Sequence, residues 1–171
     1  MLKRTHLVFA LLLFMILVFN LNLSPINKLM FLVIFILAAI IPDIDTTESS
    51  VGRKTKPASN LINVLFGHRG FFHSLTFIII LAILLFILKT PNLIAIAILT
   101  GYVSHLILDA FTKTGIRVFW PLKSQAKGSI KTGSTTESII FLVFLAGIIA
   151  LFFKNFSKAK MLVLELVKTI F

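Results

Sequence analysis

Residues 92–112 read NLIAIAILTGYVSHLILDAFT, an apolar run that ends with a histidine and an aspartate four residues apart. The run is long enough to cross a bilayer, which takes about 20 mostly apolar residues. An aspartate in such a segment costs about 2.5–3.5 kcal/mol at the bilayer centre on insertion scales, and less near the interface. A metal ion or a cationic partner would offset that cost. His105 and Asp109 share a helix face. Followed backwards, the same face carries Gly101 and Ala97, small residues that allow a neighbouring helix to come close. The stripe is therefore expected to look into a helix bundle, with its polar groups at one end.

The rest of the chain fits that frame. Of its 171 residues 58% are hydrophobic, well above the share in a soluble domain. Besides 92–112, apolar segments of spanning character occupy roughly 5–21, 26–41, 71–88 and 137–153, the second and fifth being short. The expected fold class is an all-α membrane protein: a bundle of about five transmembrane helices, a short strand-like loop around IRVFW (116–120) and a C-terminal amphipathic helix. Residues 1–153 form the membrane domain and 154–171 the amphipathic segment. MLKRTH is a plausible charged start for a signal peptide. FNLNLSP offers no A-x-A-like cleavage site, so the first span reads as a retained anchor. Pro42 is expected to end the second span, because the residue before proline disfavours the helical region. Pro91 suits the first turn of the fourth helix.

The net charge of +11, from 17 basic and 6 acidic residues, would suggest nucleic acid in a soluble protein. Its distribution suggests topology instead. Successive segments outside the spans carry two (Lys3, Arg4), one (Lys28), four (Arg53, Lys54, Lys56, Arg69), one (Lys89) and five (Lys113, Arg117, Lys123, Lys127, Lys131) basic residues. That alternation places the N-terminus and the second and fourth loops in the cytoplasm of a multi-pass inner-membrane protein. The tail, with Lys154, Lys158, Lys160 and Lys168, is the misfit, since five crossings put it outside.

All four histidines and all three aspartates fall at the same predicted end of a span. His6 begins the first span. Asp43 and Asp45 follow the second, in PDID. His68 and His73 flank the start of the third, in GHRGFFHS, with His68 on a loop and His73 in the first helical turn. His105 and Asp109 close the fourth, and Glu137 opens the fifth. Asp43 and Asp45, two apart after a proline, would point the same way from an extended segment. Each residue has a plainer use alone: an interfacial histidine, turn-forming aspartates, a positive-inside anchor at Arg69, a hydrogen-bonded His105–Asp109 pair, an interfacial Trp120, an ordinary first-turn charge at Glu137. Together they leave no histidine or aspartate for an incidental role.

With no cysteine, any metal site must use imidazole and carboxylate, which suits Zn²⁺ first and Mn²⁺ or Fe²⁺ as alternatives. Seven candidates (His6, Asp43, Asp45, His68, His73, His105, Asp109) exceed one tetrahedral zinc and are enough for one or two ions. Two-metal chemistry points to hydrolysis of a phosphoester by metal-activated water. Asp43 or Asp45 would serve as general base or bridging ligand, and Arg69 would steady the phosphate.

The order TH, PDID, GHRGFFHS, SHLILDAFT and a WP loop resembles the YdjM family of inner-membrane metal-dependent hydrolases, over about residues 6–121. That family is distantly similar to the zinc-dependent phospholipase C and single-strand nuclease superfamily. The resemblance implies a helical fold with ligands at helix ends, ligand roles for His6, Asp43, His68 or His73, His105 and Asp109, and site roles for Asp45 and Arg69. The expected function is a membrane-bound metal-dependent hydrolase whose partners are membrane lipids and whose substrate is a phosphoester, a phospholipid among the options. The chief competitor is a metal or proton transporter built on the same cluster. A non-catalytic lipid-binding module ranks behind both, and nucleic acid is disfavoured as a partner. Oligomeric state is left open.

Overall fold

A computed structural model describes residues 1–45 and 70–170. Six helices make up most of it: α1 (Lys3–Asn20), α2 (Pro25–Ile40), α3 (Leu75–Ile87), α4 (Asn92–Ala110), α5 (Thr135–Lys154) and α6 (Phe156–Ile170). Two short strands, β1 (Ile116–Arg117) and β2 (Gln125–Ala126), pair antiparallel between α4 and α5. The expected strand-like run begins with β1.

Local chemistry sets several of the helix starts. Ser24, Ser74 and Ser134 stand at the N-caps of α2, α3 and α5, and each hydroxyl accepts from a backbone N–H three residues on, as capping serines do. Pro25 occupies the first turn of α2. Pro91 is the N-cap of α4 rather than a residue of its first turn.

Four of the described helices are long and apolar enough to cross a membrane: α1, α2 with its extension to Asp43, α4 and α5. This modifies the expectation of five. The third segment begins its helix at Leu75, not at residue 71, and α3 has 13 residues. At 1.5 Å per residue that is about 20 Å, short of a ~30 Å hydrocarbon core. The fifth, expected to be short, has 20 residues.

The chain after α2 corrects another expectation. Ile41 keeps helical dihedrals in front of Pro42, with φ −55° and ψ −40°. The α-helix tightens into a 3₁₀ turn over Ile41–Asp45 instead of opening into an extended segment. Three residues per turn rotate successive side chains by about 120°. The extended backbone from which Asp43 and Asp45 were expected to point the same way is thus replaced by a 3₁₀ turn.

The tightest crossing is α2 against α4. A Cβ on Gly101 would run into the carbonyl oxygen of Phe35 and lie 3.0 Å from the Ala38 methyl group. Ala97, Gly101, His105 and Asp109 are all buried, as the small-residue stripe requires. Phe14, Phe31 and Phe35 fill the space between α1 and α2 around Ala10 and Ala39. Helix α5 lies along α1, with Phe144 against Phe9 at 4.9 Å and Gly147 against Leu12. Its outer face exposes Ile139, Leu142, Val143, Ile149 and Phe153, a composition suited to lipid.

The segment between α4 and α5 folds over the end of the bundle. Thr112 is fully buried; its hydroxyl donates to the Asp109 carbonyl and accepts from Gly115 N–H. Leu75 N–H donates to Val118 O at 3.0 Å, and the Thr76 hydroxyl donates to Trp120 O. The loop is thereby fastened to the start of α3. Amphipathic α6 sits at the opposite end, where the Lys158 ammonium reaches the Phe19 carbonyl near the end of α1. The tail thus lies at the end of the bundle away from the N-terminus.

Candidate metal centre

Four elements deliver polar side chains to one buried point. His6 comes from the first turn of α1, Asp43 from the 3₁₀ turn after α2, His73 from the segment before α3, and His105 and Asp109 from the last turns of α4. His73 precedes the N-cap Ser74, which corrects its expected place in the first helical turn. His6, His73, His105 and Asp109 are all buried. Asp43 is less so, with its side chain 17% exposed.

Asp109 is the hub. Its Oδ1 is 3.3 Å from His6 Nε2, and its Oδ2 is 3.6 Å from both His73 Nε2 and His105 Nε2. The Met1 α-ammonium donates to Oδ1 at 2.5 Å. Asp43 Oδ1 lies 3.7 Å from His105 Nε2. The His6 and His105 rings stack at 3.9 Å between centroids, within 7° of parallel, and His73 meets His105 edge-on at 5.4 Å. Two ligand triads result, His6–His105–Asp109 and Asp43–His73–His105, each with its donor atoms within 4.8 Å of one another. His105 belongs to both.

Supporting contacts fix the rings. His105 Nδ1 is 2.8 Å from the Ala39 carbonyl oxygen at the end of α2. A carbonyl only accepts, so Nδ1 of the neutral ring carries the proton and Nε2 offers its lone pair to the cluster. That is the usual arrangement behind a metal-ligating histidine. The Tyr102 hydroxyl donates to the Phe72 carbonyl at 2.7 Å, which holds the backbone next to His73.

Glu137 is the supporting residue that sequence reasoning set aside as an ordinary first-turn charge. It is 1% exposed. Its Oε1 accepts from Leu2 N–H at 2.6 Å and from the Thr5 hydroxyl at 2.9 Å, and its Oε2 accepts from Gly133 N–H at 2.6 Å. It ties the start of α1 to the start of α5, one residue from His6. The signal was present, since Ser134–Glu137 reads S-T-T-E, a capping-box spacing. In a capping box the glutamate returns to its own N-cap. Here it bonds the preceding residue and a second helix.

The donor set fits a divalent ion. Both ring nitrogens of His6 and Nε2 of His105 are buried without a hydrogen-bond partner among the described residues. Buried polar atoms are normally satisfied, and leaving one unsatisfied costs about 1–3 kcal/mol. An ion coordinated by these nitrogens and by carboxylate oxygen would remove that cost. Imidazole with carboxylate, and no thiolate, suits zinc, manganese or iron. Of the seven sequence candidates the structure gathers five: His6, Asp43, His73, His105 and Asp109. His68 and Arg69 lie outside the described residues. Asp45 ends the 3₁₀ turn by its backbone, and its side chain is likewise outside the description.

The Trp120 ring meets Phe71 at 5.3 Å. Two cavities among the described residues lie elsewhere: one at the far end is lined by Phe19, Lys28, Lys158 and Glu165, and a larger one by Ala82, Phe86 and Lys89 at the α3–α4 turn.

Known sequences extend this picture. The chain is 38% identical over 104 residues to the uncharacterized protein YvsG of Bacillus subtilis, a match covering 60% of this chain and 65% of that one. It is 37% identical over 94 residues to the inner membrane protein YdjM of Escherichia coli, covering 52% of this chain and 47% of the relative. The YdjM of Shigella flexneri matches equally. The matches thus span about half to two thirds of the relatives' length. No solved structure matches. The model of the YdjM inner membrane protein family matches residues 1–171. With four helices fit to cross a bilayer and a buried His/Asp cluster at one end of them, the chain belongs to the YdjM family of inner membrane proteins.

Proposed function

We propose that this chain is a membrane-bound metal-dependent hydrolase that cleaves a phosphoester, a phospholipid among the options, with its centre at the cytoplasmic face. The observation that carries the proposal is the pair of triads sharing His105, buried except for the part-exposed Asp43. Such a cluster is expensive in an apolar bundle unless an ion occupies it. PDID, HR-x3-HS and H-x3-D in that order resemble the YdjM family, and the distant similarity of that family to the zinc-dependent phospholipase C and nuclease superfamily supports the same reading. A divalent ion, zinc first with manganese or iron as alternatives and one or two in number, would supply Lewis acidity to a phosphoryl oxygen and acidify a water.

The protein groups have separable tasks. His6, His73, His105 and Asp109 hold the ion or ions. Asp43, the most exposed of the five, is the carboxylate best placed to take a proton from water entering from outside. Arg69 and Asp45 are assigned to the phosphate and to the base or bridging role on sequence grounds, and His68 to a further ligand. The abundance of Lys and Arg in the loops at this end supports the cytoplasmic side.

The competing transporter reading calls for ionisable groups near the bilayer midplane with a path through broken helices. The cluster instead sits at the ends of its helices, which disfavours that reading. The test is elemental analysis of purified, folded protein together with turnover of a chromogenic phosphodiester. Stoichiometric metal with turnover lost in Asp43→Asn is expected. Folded protein that holds no metal would overturn the proposal, as would metal-loaded protein that turns nothing over but carries ions across proteoliposomes.

A further inference from the structure

The β1–β2 hairpin carries a second polar concavity, separate from the His/Asp cluster. It is a cavity of about 320 Å³ lined by Lys113, Thr114, Gly115, Arg117, Gln125 and Lys127 together with Ile116, with no carboxylate in its wall among the described residues. None of the three cations forms an ion pair among the described residues. Like charges gathered in a concave wall repel one another and raise the local concentration of anions. The fold nonetheless brings them together deliberately. Gly115 takes φ +67°, and a Cβ there would strike the Ala126 carbonyl and the Lys127 side chain. Together with Gly128, where a Cβ would strike the Phe111 carbonyl, it lets the two chain stretches close with Lys113 and Lys127 on one pocket.

The hairpin also indicates where the anion comes from. Between the strands, Phe119 is 47% and Leu122 is 62% exposed, and Phe111 at the end of α4 is 56% exposed. Two membrane-crossing helices, α4 and α5, flank the segment. Exposed apolar side chains next to a Trp and several cations, at the end of a span, are the composition of a segment seated at the head-group level. We propose that Lys113, Arg117 and Lys127 form a binding pocket for the phosphate of an anionic phospholipid head group. The pocket is independent of the metal reading, since none of its residues enters either triad. A lipid held there would fasten the hairpin that is hydrogen-bonded to the start of α3, next to His73.

The experiment is native mass spectrometry of the full chain in neutral detergent, titrated separately with phosphatidylglycerol, phosphatidylcholine, inorganic phosphate and a short single-stranded oligonucleotide. Lys113→Gln/Lys127→Gln spares the fold because both side chains are exposed; the triple change adds Arg117→Gln, and thermal melts and metal content report on folding. Preferential phosphatidylglycerol binding is expected, weakened about fivefold for each cation removed, with metal content unchanged. Lys154→Gln/Lys158→Gln at the far end should leave it intact. The proposal is overturned if the double variant binds phosphatidylglycerol as well as the parent. It is also overturned if phosphatidylcholine binds equally, if free phosphate competes as strongly as lipid, or if the oligonucleotide binds through the same cations without a lipid preference.

Discussion

His105 Nδ1 rests 2.8 Å from the carbonyl oxygen of Ala39, although 66 positions separate the two residues in the chain. This contact couples the close α2–α4 crossing to the chemistry of the cluster. It sets the tautomer, and it aims Nε2 at Asp43 and Asp109. Because His105 is common to both triads, His105→Ala should empty both and reduce bound metal to near zero. His73→Ala removes a member of one triad only and should retain the share of metal held by His6, His105 and Asp109. Metal-to-protein ratios of the two purified variants check this. Equal retention in both would contradict the shared role.

Gly101 controls the same crossing from one turn away. A methyl group there meets the Phe35 carbonyl and the Ala38 side chain, and backbone cannot yield as a flexible side chain can. Gly101→Ala should destabilise the protein by about 1–3 kcal/mol, the usual cost of overpacking, and weaken metal binding by moving His105 off Ala39. Gly133→Ala is the contrast. It has φ +78° but open space around its Cβ, so it should cost only about 1 kcal/mol of backbone strain and leave metal binding alone. Thermal melts with and without added metal separate the two effects.

Much of this site was legible in the sequence because bilayer topology is a strong constraint. Antiparallel helices return to the same face, so His6, Asp43, His73, His105 and Asp109 could be grouped from span order alone. The stripe through Ala97 and Gly101 announced the close crossing. What stayed hidden depended on local backbone geometry. Hydropathy does not reveal that Ile41 holds a helical conformation before proline, or that the chain from Gly70 to Ser74 turns before α3 begins. The length of α3 was misread for the same reason, since Phe71 and Phe72 count as apolar whether or not they are helical. Glu137 was passed over because one acidic residue in a first helical turn has an ordinary explanation, and its partners at Leu2 and Thr5 are remote in sequence.

Glu137 should therefore behave unlike a surface helix charge. Glu137→Ala leaves the N–H groups of Leu2 and Gly133 and the Thr5 hydroxyl without their acceptor. At about 1–3 kcal/mol for each buried group left unsatisfied, a loss of several kcal/mol is expected if water does not enter. Glu137→Gln keeps one carbonyl oxygen and should lose less stability. Because the tether positions His6, both variants should also bind metal more weakly, by roughly the 10–100-fold typical of outer-shell changes. Metal titration of detergent-purified protein, compared with melting temperature, distinguishes a tether from a simple cap.

Tyr102→Phe makes a narrower prediction. The change removes only the hydroxyl that donates to Phe72 O, next to His73. Stability should fall by about 1–3 kcal/mol. The triad containing His73 should weaken while the triad of His6, His105 and Asp109 is spared. A metal titration that loses its two-ion character, or a single weaker step if one ion binds, would bear this out; an unchanged isotherm would contradict it.

The absence of cysteine makes sidedness directly measurable, because any introduced thiol is the only one. The hairpin at the cluster end and α6 at the far end lie on opposite ends of the bundle, and Lys113 and Lys158 are exposed. If the basic loops lie inside, as proposed from their charge, Lys113→Cys should react with a membrane-impermeant maleimide in inside-out vesicles and resist it in intact spheroplasts. Lys158→Cys should show the reverse. The four tail lysines oppose that orientation, but charge near later spans is commonly overridden by the first helix. Both thiols labelling from one side would mean that the helices do not cross as drawn. Both patterns inverted would keep the fold and move the cluster to the outer face.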